Sequence, residues 1–241
     1  MESPSQATLE IHIRPLASLP GTDSRALAST LKAILSPALL LSQHPRTLIQ
    51  LVGQALCGSD SGSGFGSVGR GWNASLVASL VNASSAALIN ASSVPMKGTV
   101  CAVAVGRLPG LDNTSAPTPV LDPSEKELPY LVGGGCFAFM FSSTLPSAKI
   151  SQSDTPNASL LWTNYTASRG PLTNGEFTHA QQLAEKAAGQ IWKRMKTSVA
   201  QRKTKVSVSG LKREKKKAQE TSLKAESEGT DEHEDDEKIE I

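Results

Sequence analysis

Residues 86–105 read AALINASSVPMKGTVCAVAV, a stretch in which a helix passes through a turn into a strand. Upstream of the turn, residues 74–91 carry no charge, and Leu, Val and Ile recur at helical spacing among Ala, Ser and Asn. Pro95 ends the helix, and Gly98 permits the turn. The residues after Gly98 are almost all apolar, as in strands buried on both faces. The stretch predicts a small-sided helix that packs tightly on a sheet.

The flanking sequence extends this stretch into a mixed α/β (α+β) pattern. Apolar runs predict strands at residues 8–14, 46–56, 120–123, 130–142 and 160–165. Apolar stripes with capping residues predict one helix from residue 22 to residue 37 and another that begins near Thr178. Gly133, Gly134 and Gly135 interrupt a strand, which predicts a bulge or a close approach of two backbones.

Charge is distributed unevenly along the 241 residues. Residues 1–192 hold 11 basic and 11 acidic side chains. Residues 193–217 hold 11 basic side chains and 1 acidic one, whereas residues 218–241 hold 2 basic and 10 acidic side chains. The formal net charge of +2 is therefore no argument for nucleic-acid binding by the neutral first part. Beyond about Lys203 the chain has charge blocks and no aromatic residue, so we expect a disordered, basic-then-acidic tail over residues 201–241.

The cysteine and histidine positions argue against a metal or redox centre. Cys57, Cys101 and Cys136 lack the paired spacing of zinc sites and disulfide scaffolds, so we expect reduced thiols, no metal and no cofactor. His44 and His179 have no ligating neighbour in sequence and are interpreted as structural. The sequence shows neither a charged-then-apolar leader nor an apolar run of about 18 residues, which argues against secretion and against a membrane partner.

Five segments together resemble one known family. Residues 86–98 closely resemble the central helix-to-strand passage of the ribonuclease PH family, in particular its RNA exosome ring subunits. Residues 9–15, 41–47, 121–123 and 177–179 are similar to that family's Arg-Pro strand end, His-Pro-Arg-Thr turn, Leu-Asp element and Phe-Thr-His element.

The resemblance implies a ribonuclease PH-like domain, of the ribosomal protein S5 domain 2-like class, over residues 7–200. Family members normally have several strands and an arginine-bearing helix before the segment that matches residues 9–15. The domain is therefore expected to be N-terminally incomplete, with open sheet edges that a partner subunit covers.

The residues that active relatives use for catalysis are replaced in this chain. Those relatives cradle phosphate with an acidic-Gly-Gly-Thr-Arg segment before an Ala-Ser pair. Aligned on Ser75, this chain has Val68 for the acid and Trp72 for the arginine, and Ser75 itself has no recognisable base partner. Where relatives carry an aspartate before an apolar strand, this chain has Cys136, and a thiol is a poor Mg²⁺ ligand. Because phosphorolysis needs fixed cations and carboxylates, the resemblance implies a noncatalytic homologue, although Arg70 leaves a rearranged phosphate site open.

The implied function is that of a noncatalytic structural subunit of the RNA exosome ring. Such a subunit supports 3′-to-5′ RNA processing and degradation, including rRNA maturation, by scaffolding and by guiding RNA. Its implied partners are other ribonuclease PH-type ring subunits, cap subunits and single-stranded RNA, and its implied location is the nucleus, the nucleolus and the cytoplasm. One alternative is an active phosphate-dependent 3′-5′ exoribonuclease. Another is a free-standing RNA-binding protein that acts through residues 193–241.

Three cations are candidates for sequence-independent contacts with RNA phosphates, namely Arg46, Arg70 and Lys97. Arg46 also fits a capping or subunit-interface role, and Lys97 also fits a solvated charge at the start of a strand. A basic cluster in the tail fits nuclear import, nonspecific RNA affinity or simple solvation. Its members are Lys212, Arg213, Lys215, Lys216 and Lys217.

Overall fold

The computed structural model describes residues 5–14, 21–56, 74–110, 117–124, 126–142, 157–168 and 170–227. The chain divides into two compact units, residues 1–195 and residues 196–241. The first unit contains every strand of the described chain. Its helices and strands confirm the predicted mixed α/β class.

The elements follow the predicted order, with one short strand, β7, added beside β5. They are β1 (Thr8–Arg14), α1 (Thr22–Leu35), β2 (Leu48–Gln54), α2 (Ala74–Ala91), β3 (Thr99–Leu108), β4 (Thr118–Leu121), β5 (Gly133–Phe141), β6 (Ala158–Thr163), β7 (Thr166–Ala167) and α3 (Asn174–Ser227).

The strands form two sheets. β1 and β2 pair in parallel from Thr8↔Leu48 to Arg14↔Gln54. The other sheet is antiparallel and five-stranded, with the order β4-β3-β5-β6 and with β7 paired to β5. Its central pair is β3 and β5, in register from Thr99↔Phe141 to Arg107↔Gly133. Since β3 and β5 each have neighbours on both sides, this pair forms the centre of the molecule's core.

β3 is buried on both faces, as the sequence predicts. Val100, Ala102 and Ala104 join one apolar cluster, which also receives side chains from α1, α2 and β1. The alternate residues of β3 join a second cluster that includes aromatic residues of β5 and the start of α3. The period of two along the strand therefore divides its side chains between two cores.

α2 packs on the sheet through one face only. Val77, Val81 and Leu88 are buried, whereas Ala83 and Ala87 on the opposite side are exposed. The buried face confirms the predicted tight packing of this small-sided helix on the sheet. The sequence made no prediction for the opposite face. Ala and Ser are small enough to tolerate either environment, and composition alone does not separate the two. By length and composition alone α2 is also a helix that could cross a membrane, so the expectation that the chain has no apolar run of about 18 residues is wrong.

Asn82 interrupts the apolar pattern of α2 because its side chain bonds to the backbone of β3. The Asn82 amide donates to the Ala102 carbonyl at 2.8 Å, and the Ala102 N–H donates to Asn82 Oδ1 at 2.8 Å. These bonds satisfy backbone groups in the middle of β3 and fix how α2 is placed along that strand.

The glycine triplet at the start of β5 allows the predicted close approach of backbones. A Cβ on Gly134 would lie 2.7 Å from the Val105 carbonyl oxygen, and one on Gly135 would lie 2.5 Å from Tyr165 Cα. The register shift of β5 lies elsewhere, between Ala138 and Phe139 in its pairing with β6. The glycine triplet therefore allows neighbouring backbones to come close and does not form a bulge.

α3 continues as a helix to Ser227, across residues 201–227 for which the sequence predicts disorder. This segment contains one Gly and no Pro. More than half of its residues are Lys, Arg, Glu, Gln or Ala, all of which favour helix. The rest of the predicted tail, residues 228–241, lies outside the described residues, and the domain boundary at residue 200 stays a prediction.

Candidate functional site

Cys136, at the degenerate acidic position, is part of the core. The residue lies on β5, paired with Ala104 of β3, and is fully buried in the first apolar cluster. Its backbone N–H donates to Asn164 Oδ1 at 2.7 Å, and its carbonyl accepts from the Asn164 N–H at 3.3 Å. Burial raises the pKa of the Cys136 thiol to about 12. At neutral pH the group is therefore a neutral thiol without access to solvent, which suits neither a metal ligand nor a proton carrier.

The replaced phosphate-binding positions are described only in part. Val68, Arg70 and Trp72 lie outside the described residues, so their roles stay predictions. Ser75 lies half-buried in the first turn of α2. Its carbonyl accepts the Ser79 hydroxyl at 2.7 Å, which is an ordinary contact between successive helical turns.

Arg46 lies in an exposed turn immediately before β2. Its backbone adopts a positive φ of 58°, and the Thr47 hydroxyl that follows donates to the His44 carbonyl at 2.7 Å. Arg46 and His44 are both exposed. The turn leads into the parallel pair of strands, because the Thr47 carbonyl accepts the N–H of Thr8 at 2.8 Å. This placement leaves the Arg46 guanidinium at the surface and fixes the backbone that carries it.

Lys97 has an exposed side chain on a firmly held backbone. Its N–H donates to the Ala38 carbonyl at 2.7 Å, and its carbonyl accepts the Ser142 hydroxyl at 2.7 Å. The next residue is Gly98, at which a Cβ would lie 2.6 Å from the Phe141 carbonyl oxygen. The turn between α2 and β3 therefore fixes the backbone of Lys97, while its side chain is exposed to solvent.

Lys97 and Lys32 line the same cleft, which has a volume of about 720 Å³. Lys32 belongs to the last turn of α1, and Lys97 belongs to the turn before β3. The sequence identified Lys97 and missed Lys32, because the two lysines are 65 positions apart and no motif connects them. Only the fold brings these two cations to one cleft.

The remaining sequence candidates do not assemble into a reactive centre. His179 is exposed on α3. Within the described residues, no three His, Cys, Asp or Glu side chains are grouped so that they would hold a metal ion. The basic cluster at residues 212–217 lies in the part of α3 for which only the backbone is described, so its role stays a prediction.

Comparison with known proteins places the fold. No family model matches the chain. The structure is similar to the crystal structure of Rrp46 from rice (Oryza sativa), with a TM-score of 0.58 and 20% sequence identity. The similarity covers 83% of this chain and 76% of the rice chain. This chain therefore has the ribonuclease PH-like fold of rice Rrp46.

Proposed function

We propose that this protein is a noncatalytic structural subunit of an RNA exosome ring, in which it supports 3′-to-5′ RNA processing and degradation. The observation that carries the proposal is the fold shared with rice Rrp46. The five sequence segments that resemble exosome ring subunits support the same assignment. Fold alone does not determine function, so the site must decide between scaffold and enzyme.

The state of Cys136 supports the scaffold. Phosphorolysis needs a cation to hold phosphate and an ionised group to bind metal or carry a proton. A fully buried thiol with a pKa raised to about 12 supplies neither. Restoring a carboxylate at residue 136 would place a charge among apolar side chains, which is costly. Cys136 instead packs in the apolar cluster that β3 and β5 share with α1 and α2.

We further propose that the protein contacts RNA phosphates through exposed cations, with Arg46 and Lys97 as the described candidates and Arg70 as the third. The contacts would be independent of sequence, since lysine and arginine on phosphate carry no base information. Nuclear and nucleolar residence alongside a cytoplasmic pool follows from the same proposal, with residues 212–217 as the import segment.

Co-purification tests the assembly. The full chain, carrying an affinity tag, is expressed in its native cells, and the proteins that elute with it are identified by mass spectrometry. We expect several ribonuclease PH-type ring subunits and cap subunits in near-equal amounts. Recovery of the chain by itself, with RNA but no related subunit, would instead support a free-standing RNA-binding protein.

A phosphorolysis assay separates the scaffold from an active enzyme. The purified chain is incubated with single-stranded RNA, Mg²⁺ and inorganic phosphate, and nucleoside diphosphates are measured. We expect no phosphate-dependent release. Release that is abolished by Arg70→Gln and unaffected by Lys126→Gln would contradict the noncatalytic role and would identify a rearranged phosphate site.

A further inference from the structure

The outer edge of β2 is an open strand edge within the described residues. β2 pairs there with β1 alone, and the two strands form a sheet of their own. The Thr8 N–H donates to the Thr47 carbonyl at 2.8 Å, and the Ala55 N–H donates to the Arg14 carbonyl at 3.0 Å. In a parallel ladder this pattern directs the backbone groups of Thr47, Ala55 and the alternate residues between them towards β1. The backbone groups that point away from β1 belong to the other residues of the strand, including Leu48, Gln50 and Val52.

β2 lacks the features that usually keep an open strand edge from pairing. Natural sheets protect such edges with charged side chains, prolines or bulges. The strand Leu48–Gln54 contains no charged residue and no proline, and its register with β1 is unbroken. Leu48 and Val52 are each 50% exposed, and both lie on the same face of the strand. An uncharged edge with exposed apolar side chains is typical of a strand that pairs with another chain.

β1 carries different side chains on the same exposed face of this sheet. Its exposed residues are Glu10, His12 and Arg14, all of them ionisable. Glu10 is in register with Gln50, and His12 is in register with Val52. Charged side chains of this kind oppose pairing with a further strand. Of the two strands, β2 is therefore the one suited to pairing and β1 the one suited to remain at an outer edge.

The sequence of β2 is complementary to itself in an antiparallel pair. When Gln50 lies opposite Gln50 of a second copy, Leu48 lies opposite Val52 of that copy. In the same register Ile49 lies opposite Leu51, so the pairs that flank Gln50 on either side are all apolar. This register also brings together the backbone groups that point away from β1 in both copies. A register centred on Leu51 would instead place Gln50 opposite Val52 and lose this match.

We propose that two copies of the chain associate through β2, edge to edge, about a twofold axis at Gln50. The two sheets then join into one, with the strand order β1-β2-β2-β1, and β1 with its ionisable side chains forms both outer edges. A contact of this kind uses the same surface on each copy and closes as a pair. The inference goes beyond the proposed scaffold role, because it assigns a second copy of the chain as a partner and does not depend on ring assembly.

Analytical ultracentrifugation of the full-length chain over a range of concentrations tests the pairing. We expect a reversible equilibrium between monomer and dimer. Gln50→Lys places like charges opposite each other at the axis and should weaken dimerisation by about threefold to tenfold, and Gln50→Glu should do the same. An equimolar mixture of these two variants pairs Lys with Glu and should restore the affinity. Gln182→Lys, at an exposed residue of α3, should leave dimerisation unchanged.

Any association through the charged residues 193–241 is common to all variants, so the decisive readout is the recovery in the mixture. Circular dichroism and the thermal midpoint verify that each variant is folded. A chain that stays monomeric at every concentration would overturn the proposal, as would equally tight dimers of Gln50→Lys and Gln182→Lys. A mixture that dimerises no better than either charged variant alone would overturn it as well. The co-purification experiment tests ring assembly separately, so failure of one proposal is distinguishable from failure of the other.

Discussion

At the scale of single residues, the burial of Cys101 and Cys136 should make the free energy of unfolding depend on pH. Desolvation raises the pKa of each thiol from 9.0 to about 12. The folded state therefore keeps protons that the unfolded chain releases above pH 9, and the free energy of unfolding should fall as the pH rises from 9 towards 12. Below pH 9 both states are protonated, so these groups add no pH dependence. Urea unfolding at a series of pH values measures the slope.

The control for this prediction removes the thiols. In Cys101→Ala and Cys136→Ala chains, the decline above pH 9 should become shallower, by up to one proton per removed thiol. Both variants will also lose stability at every pH because small cavities form. Only the change in slope tests the pKa values, and identical slopes in all chains would show that the thiols are not buried as described.

Gly134 is a residue whose role depends on backbone geometry. Its φ is +145°, and an added Cβ would lie 2.7 Å from the Val105 carbonyl oxygen. Gly134→Ala should therefore destabilise the fold by about 1–3 kcal/mol, measured as a shift in the urea midpoint. Gly175→Ala is the matched control, since nothing lies within 4 Å of its added Cβ. It should be neutral or stabilising by less than about 1 kcal/mol. Equal effects at both positions would refute the close approach.

At the scale of helices and strands, the sequence predicted most elements because each has a local signal. The apolar run of β3 and the stripe Leu27, Leu31 and Ile34 in α1 report burial directly. Which face of α2 is exposed could not be predicted, because alanine is compatible with both core and solvent. Lys32 was missed for another reason. The cleft forms where three segments distant in sequence meet in space, and the periodicity within one segment does not predict which other segments lie beside it.

The sequence pattern also did not predict the ion pair that joins β3 to α3. Arg107 at the end of β3 donates from Nε to Glu176 Oε1 at 2.5 Å and from Nη2 to Oε2 at 3.2 Å. The side chains are only 3% and 9% exposed. The same Nη2 also donates to the Pro171 carbonyl at 3.1 Å. A bidentate pair of this kind fixes the start of α3 against the sheet.

Breaking that pair should be costly. Glu176→Gln leaves the Arg107 charge buried without its counterion, and we expect a loss of about 3–5 kcal/mol in the free energy of unfolding. Replacing both residues by Met should cost less than the sum of the single Arg107→Met and Glu176→Met changes, because the double variant contains no unpaired charge. Glu185→Gln, exposed on the same helix, should change stability by less than about 0.5 kcal/mol. Additive effects in the cycle would show that the two side chains do not interact.

At the scale of the whole molecule, the charge blocks predict opposing effects on RNA binding. The full chain has a net charge of +2, residues 1–217 have +10, and residues 1–200 have +3. A chain that ends at residue 217 loses the acidic block and keeps the basic one. It should therefore bind oligouridine more tightly than the full chain and with a steeper salt dependence, because more counterions are released.

A chain that ends at residue 200 loses both blocks, so its affinity should fall below that of the chain ending at residue 217. Its remaining binding would report on the surface of the first unit. In that background Lys97→Gln should weaken oligouridine binding further, because the exposed Lys97 is a proposed phosphate contact. Unchanged affinity would contradict that contact. Filter binding at several salt concentrations gives both affinity and slope. Equal slopes for all three chain lengths would show that neither block takes part, because counterion release depends on how many phosphates the bound cations neutralise.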